Sequence, residues 1–279
     1  MKDKVVIITG ANRGIGKETT KELAKHGARI YMACRSIKSA QDVRDEIVSE
    51  TGNENIFVRE LDLSSPRSII KFVDSFNKDE DKLDILINNA GLWSEKKEIS
   101  SLGVEMTFAV NVIGHQLLTK LLFNKLRHGA PSKIINVASH FAGGLEIDDI
   151  NFGKRKYSGT LAYKNTKQAN RMLTREWARQ LENCGISVYS MTPGFIPSTD
   201  LFRNQNFVGK ILLKLFGLIE GRTIQQGADT IVWLASTDKI TGNNGGFFRD
   251  RKEEKCKFLN PYEEKKLWDK CEELLSKKK

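Results

Sequence analysis

A β-branched run, a glycine-rich turn and a helix-like run stand back to back in "KVVIITGANRGIGKETTKELAKHG" (residues 4–27), and the same rhythm then continues to about residue 194. "KVVIITG" (4–10) reads as a buried strand and "GKETTKELAKHG" (16–27) as a helix closed by glycine. "ARIYMACR" (28–35), "NIFVRELDL" (55–63), "LDILINNAG" (83–91), "SKIINVAS" (132–139) and "GISVYSMTPG" (185–194) read as further strands. Between them "SAQDVRDEIVSETG" (39–52), "SPRSIIKFVDSFNK" (65–78), a long helix over 103–126 and another over 160–183 supply the crossovers. Residues 225–236 read as helix, and "GGFFRD" (245–250) as a last strand. Strict alternation of this kind predicts an α/β fold: a Rossmann-type, doubly wound sheet of about seven parallel strands with helices on both faces. With no linker and no internal repeat, residues 1–279 read as one domain.

The turn "TGANRGIG" (9–16) places Gly10, Gly14 and Gly16 where a strand passes into a helix. Glycines there let backbone approach a pyrophosphate, and the helix aims its first amides at it. A site for NAD usually has an acidic residue at the end of the second strand. This chain has Arg35 there, with Arg13 in the glycine turn, and two guanidinium groups suit a ribose 2′-phosphate. NADP(H) is therefore expected over NAD(H). Asp62, ending the third strand, fits either an adenine contact or a cap for the helix near Ser65, with Ser64 an equal candidate for the cap.

Ends of later strands face the same crevice. They bring Asn89, Ala90 and Gly91 of "NNAG", Ser139, and the pair Pro193 and Gly194. Tyr163 and Lys167, in "YKNTK", are spaced i,i+4 on the helix after Ser139 and so share one face. A neighbouring ammonium favours a phenolate, which would let Tyr163 exchange a proton with a carbonyl or alcohol near neutral pH while Ser139 holds the same oxygen. Asn111 sits mid-helix among apolar residues; it is either satisfied by backbone or a water-holding link to Lys167. No G-x-S-x-G elbow accompanies Ser139 and His140, and the four histidines lack metal-ligand spacing, so neither hydrolysis nor a metal site is expected.

These motifs, in their order, resemble the short-chain dehydrogenase/reductase family: "TGANRGIG", "LDL", "NNAG", Asn111, Ser139, "YKNTK" and "PG". "GIGKETTKELAKHGARIYMACRS", "LTREWARQLENCGISV" and the tail from "GGFFRDRKEEK", with the long gap between Ser139 and Tyr163, resemble its retinol dehydrogenase-like branch. The resemblance implies an Asn111–Ser139–Tyr163–Lys167 tetrad with Tyr163 as general acid/base and Lys167 on the nicotinamide ribose. It adds Ile15, Leu63 and Ser198 or Thr199 to the cofactor contacts, and implies lipophilic alcohols and their aldehydes or ketones, retinoids among them, as substrates. A general carbonyl or sterol-type reductase, and a cofactor-binding regulatory protein, are the alternatives. Three features depart from the branch: the first strand begins at about Lys4 with no hydrophobic anchor before it, "TPG" lacks the histidine often found before the proline, and "PGFIPST" carries an extra proline.

The formal charge of +10 comes from lysines spread along the chain and reads as a solvated basic surface; no nucleic-acid motif accompanies it. Four cysteines without a C-x-x-C pair, and no signal peptide, suggest a reducing compartment. No run of about 18 apolar residues occurs, so no spanning helix is expected. A cytoplasmic protein follows, with peripheral contact on an intracellular membrane through "FVGKILLKLFGLI" (207–219) as the alternative to a substrate lid over 195–221. Trp93, Phe141, Phe195 and Phe202 are expected to ring an apolar pocket. Residues 260–279 read as a C-terminal helix, capped by Asn260 and opened by Pro261, that docks on the domain or on a second copy in a homo-oligomer.

Overall fold

The structure, a computed structural model, describes residues 1–197 and 221–276. Among these residues eight strands form one sheet in the order β3-β2-β1-β4-β5-β6-β7-β8. They are β1 Val5–Thr9, β2 Arg29–Cys34, β3 Ile56–Glu60, β4 Ile85–Asn88, β5 Ser132–Val137, β6 Ile186–Met191, β7 Phe247–Arg249 and β8 Lys252–Glu254. Every pairing from β3 across to β7 is parallel, as expected from the alternation; β8 adds an antiparallel edge on β7. The seven parallel strands match the expected count, and the antiparallel eighth is an addition to it. Its residues, Lys252, Glu253 and Glu254, have no apolar pattern, and it forms because Asp250 and Arg251 both adopt positive φ (51° and 61°) in a two-residue hairpin turn.

Side-chain alternation along the strands divides the core. Val6, Ile8, Ile30 and Met32 face one layer, where they meet Leu23 of α1 (Gly14–Lys25), Ile47 of α2 (Ile37–Thr51) and Ile231 and Leu234. Val5, Ile7 and Tyr31 face the other, packing on Ile69, Phe72, Val73 and Phe76 of α3 (Pro66–Asp79) and on Leu118 and Trp177. Ser65 caps α3 by accepting from the Ser68 amide at 3.3 Å; the Asp62 and Ser64 proposed for that role instead bond each other, the Asp62 carboxylate accepting from the Ser64 amide and hydroxyl.

The long helix expected over 103–126 is four pieces. They are α4 (Met106–Phe108), a π-helical turn over Ala109–Ile113, α5 (Gly114–Leu121) and α6 (Phe123–His128). The break has local causes. The buried Glu105 carboxylate accepts from the Thr107 and Phe108 amides and starts the helix late. Gly114 presses against Leu63, whose carbonyl oxygen would lie 2.3 Å from any Cβ placed there. π-Helical turns concentrate at functional sites, and this one carries Asn111.

α7 (Gly159–Gln180) carries Tyr163 and Lys167 and is capped by Ser158. The long segment before it is not loose: the buried Asp149 carboxylate accepts from the Gly153 and Lys154 amides and from Arg155. α8 (Ile224–Ser236) opens with a reciprocal Thr223–Gln226 capping box. α9 (Pro261–Ser276) docks on its own domain. Asn260 accepts from the Tyr262 and Glu263 amides, Trp268 meets Trp177 edge to face at 4.7 Å, and the buried Glu264 pairs with Arg175 and Arg179 of α7. Among the described residues no helix is long and apolar enough to cross a membrane. Segment 207–219, Phe202, Ser198, Thr199 and most of the expected lid lie outside the described residues.

Candidate active site

A cleft of about 1190 Å³ opens at the carboxyl ends of the strands, where the sheet order reverses between β1 and β4. Gly10, Arg13, Gly14, Ile15, Gly16, Arg35, Asp62, Leu63, Asn89, Ala90, Gly91, Ser139, Tyr163, Lys167, Pro193 and Gly194 all line it. Asn111 does not: it is fully buried behind the cleft wall.

At one end the glycine turn needs its last glycine for a steric reason. A Cβ on Gly16 would sit 2.3 Å from the Gly10 carbonyl oxygen and 2.6 Å from Asn89 Nδ2. Asn89 in turn donates to the Thr9 and Gly10 carbonyls at 2.8 and 3.3 Å, so the "NNAG" strand end buttresses the turn. Arg13, Arg35, Asn12, Ser36 and Ser39 line the cleft beside β2, and among the described residues Asp62 is the one carboxylate in the lining. A dinucleotide fits this cradle: the open backbone at Gly16 lies beside the Arg13 and Arg35 side chains, with no acid at the end of β2.

At the other end Tyr163 and Lys167 lie one turn apart on α7, as their spacing requires, with Lys167 Nζ 5.4 Å from the tyrosine ring centroid. Both are almost wholly buried, and Lys167 donates to the Val137 carbonyl at 2.7 Å. Burial pushes the Tyr163 phenol up and the Lys167 ammonium down to about 8. At neutral pH the protein itself therefore holds a protonated phenol beside a lysine that is still largely charged, rather than a ready phenolate. Ser139 Oγ accepts from the Phe141 amide at 3.0 Å, which leaves its own O–H to donate to a bound oxygen.

Asn111 is held by the Leu92 backbone and by one side chain. It accepts from the Leu92 amide at 2.7 Å and donates to the Leu92 carbonyl at 2.9 Å and to Thr166 Oγ1 at 3.1 Å. It thereby fixes the loop that carries Trp93. The Trp93 indole stacks on the Tyr163 ring at 4.6 Å with a 16° interplanar angle, and Phe141 stacks on Trp93 at 5.9 Å. Phe195 also lines the cleft.

Sequence reasoning did not bring Arg222, Arg249 and His140 into the lining. Arg249 ends β7, and the rule that strand ends face the crevice would have found it had it been carried to the last strand. Arg222 lies along Gly194 and pairs with Asp250, while His140 Nε2 lies 2.5 Å from Glu254 Oε2. These contacts depend on the β7–β8 hairpin, which has no sequence signature. Among the described residues no group of three or more His, Cys, Asp or Glu side chains could hold a metal.

A family model described as short chain dehydrogenase matches residues 4–207. "Retinol dehydrogenase 11" of Homo sapiens is 43% identical over 249 residues, covering 88% of this chain and 77% of that protein. "Retinol dehydrogenase 14" of Homo sapiens is 37% identical over 289 residues, 96% of this chain and 85% of that protein. Among solved structures, an uncharacterized protein from Mycobacterium paratuberculosis superposes with a TM-score of 0.76 at 26% identity, covering 99% of this chain and 94% of the other.

Proposed function

This chain belongs to the short-chain dehydrogenase family, in its retinol dehydrogenase-like branch, and from that premise we propose that it interconverts a lipophilic alcohol and its aldehyde or ketone with NADP(H). The observation that carries the reading is the shared cleft: Tyr163 and Lys167 face the same crevice as the glycine turn.

Gly10, Gly14 and Gly16 with the α1 amides would hold the pyrophosphate, and Arg13 and Arg35 the ribose 2′-phosphate. Bound nicotinamide supplies or accepts the hydride. The chain's own residues manage the substrate oxygen. In the reductive direction the Tyr163 phenol gives its proton to the carbonyl oxygen, and the Ser139 hydroxyl steadies that oxygen as charge develops. Lys167 supplies positive charge beneath the phenol, lowering the cost of the phenolate left behind. Asn111 acts at one remove, holding the loop that carries Trp93 onto the phenol. Burial keeps the phenol protonated at neutral pH, so the proton is in place, while the Lys167 charge offsets part of what burial adds to the cost of releasing it.

The stacked rings of Trp93, Phe141 and Tyr163 favour an apolar substrate body at the reacting end. The relatives named as retinol dehydrogenases support retinoids as the first compounds to try. Turnover should be measured on retinals, alkanals and ketones of graded chain length with NADPH and NADH. We expect kcat/KM at least about tenfold higher with NADPH, rising with apolar chain length. Equal use of NADH would overturn the cofactor assignment, and a preference for short hydrophilic carbonyls the substrate assignment.

A further inference from the structure

His115 is wholly inside the protein, four residues after Asn111, and lines no part of the cleft. Its Nδ1 lies 3.2 Å from the Asn111 carbonyl oxygen and its Nε2 lies 3.0 Å from Thr9 Oγ1. A carbonyl oxygen can only accept, so Nδ1 carries the proton and Nε2 is the bare nitrogen that accepts from the Thr9 hydroxyl. Burial pushes the imidazole down to about 4, with the Lys167 charge acting in the same direction, so the ring stays neutral and keeps this tautomer. Thr9 Oγ1 then offers its lone pairs to the Asn89 and Ala90 amides, both at 2.9 Å. Asn111 meanwhile clamps Leu92 by both its amide and its carbonyl.

These bonds form a closed circuit: Thr9 to Asn89 and Ala90, along the backbone to Leu92, across to Asn111, through its backbone to His115 and back to Thr9. We propose that His115 is a positioning residue for the cofactor turn, closing a buried ring of hydrogen bonds that fixes residues 89–92, the wall joining the glycine turn to the Trp93–Tyr163 stack. Without His115 the Thr9 hydroxyl loses its acceptor and falls back on the Ile87 carbonyl at 3.4 Å, and the Asn111 carbonyl loses its imidazole donor. The two ends of the 89–92 segment are then held independently. The inference rests on the cofactor reading above, because its consequence is read in nucleotide binding.

The test uses the full chain with His115→Leu, which keeps apolar volume, His115→Asn, which can still donate to Asn111 but does not reach Thr9, and Thr9→Val. NADPH Kd is measured by calorimetry, alongside Tm and KM for cofactor and carbonyl substrate separately. We expect His115→Leu and Thr9→Val each to raise NADPH Kd about tenfold, and His115→Asn to fall between them and wild type. KM for the carbonyl substrate should stay within about twofold, a split that a general loss of stability would not produce. The double variant Thr9→Val/His115→Leu should bind about as weakly as either single variant, because both open the same ring. Wild-type Kd in the His115 variants, or fold-changes that multiply in the double variant, would overturn the proposal; should His115→Leu not fold, His115→Asn, Thr9→Val and their combination carry the same comparison. Failure of the wild-type protein to bind NADPH would instead overturn the cofactor reading.

Discussion

Replacing Lys167 with methionine separates the chemical role of this residue from what its burial costs the fold. The ammonium is almost fully enclosed, and burial takes it from its ordinary 10.5 to about 8. At about 1.36 kcal/mol per pH unit, that gap corresponds to roughly 3 kcal/mol of native-state destabilisation at pH 7. Methionine has similar length and no charge to desolvate. Against the gain stands the lost bond to the Val137 carbonyl, worth about 1–2 kcal/mol. The net expectation at pH 7 is a variant more stable by about 1–2 kcal/mol, or roughly 2–4 °C in Tm for a chain of this size, and without oxidoreductase activity. The pH dependence has a definite sign. Because the folded-state value is lowered, the unfolded chain holds the extra proton between about 8 and 10.5, so wild-type stability gains on the variant as pH rises through that window. Scanning calorimetry from pH 6 to 9.5 should show the variant's advantage constant below about 7.5 and shrinking above 8. Parallel Tm curves, or a variant less stable throughout, would show that burial of the Lys167 charge does not carry this cost.

Arg35→Asp should raise NADPH Kd by about 10- to 100-fold while NADH binding improves or holds, measured by titration; unchanged NADPH affinity would remove Arg35 from the phosphate site. Gly16→Ala brings a Cβ to 2.3 Å from the Gly10 carbonyl, so nucleotide binding should be lost at saturating concentrations that fill the wild-type site, with far-ultraviolet circular dichroism little changed. Reductive kcat/KM should fall as pH rises through about 8, where Lys167 loses its charge, and a flat profile from pH 6 to 9 would exclude a charged lysine from the mechanism.

Much of this site is legible in the sequence because its parts are local. Tyr163 and Lys167 share a helix face by spacing alone, and Gly10, Gly14 and Gly16 stand where the apolar run of β1 gives way to the polar, helix-forming run of α1. What the sequence hides depends on partners far along the chain. The apolar stretch around Asn111 reads as one smooth helix, and only the press of Leu63 on Gly114 and the Glu105 cap show why it opens into a π turn. His115 looks like a packing residue until β1 brings Thr9 against it, 106 positions away. Strand β8 is charged throughout and is set by backbone geometry, so neither it nor the Arg222 and His140 contacts it creates could be read from hydrophobic pattern.

If the Tyr163 phenol delivers the proton to the substrate carbonyl, removing its hydroxyl slows the chemical step far more than it weakens nucleotide binding. Single-turnover reduction of a lipophilic aldehyde by Tyr163→Phe, with NADPH affinity measured in parallel, tests it most directly. The expected rate is lower by about 10²- to 10⁴-fold with NADPH Kd within about threefold of wild type. A Tyr163→Phe protein that turns over within tenfold of the wild-type rate would contradict it.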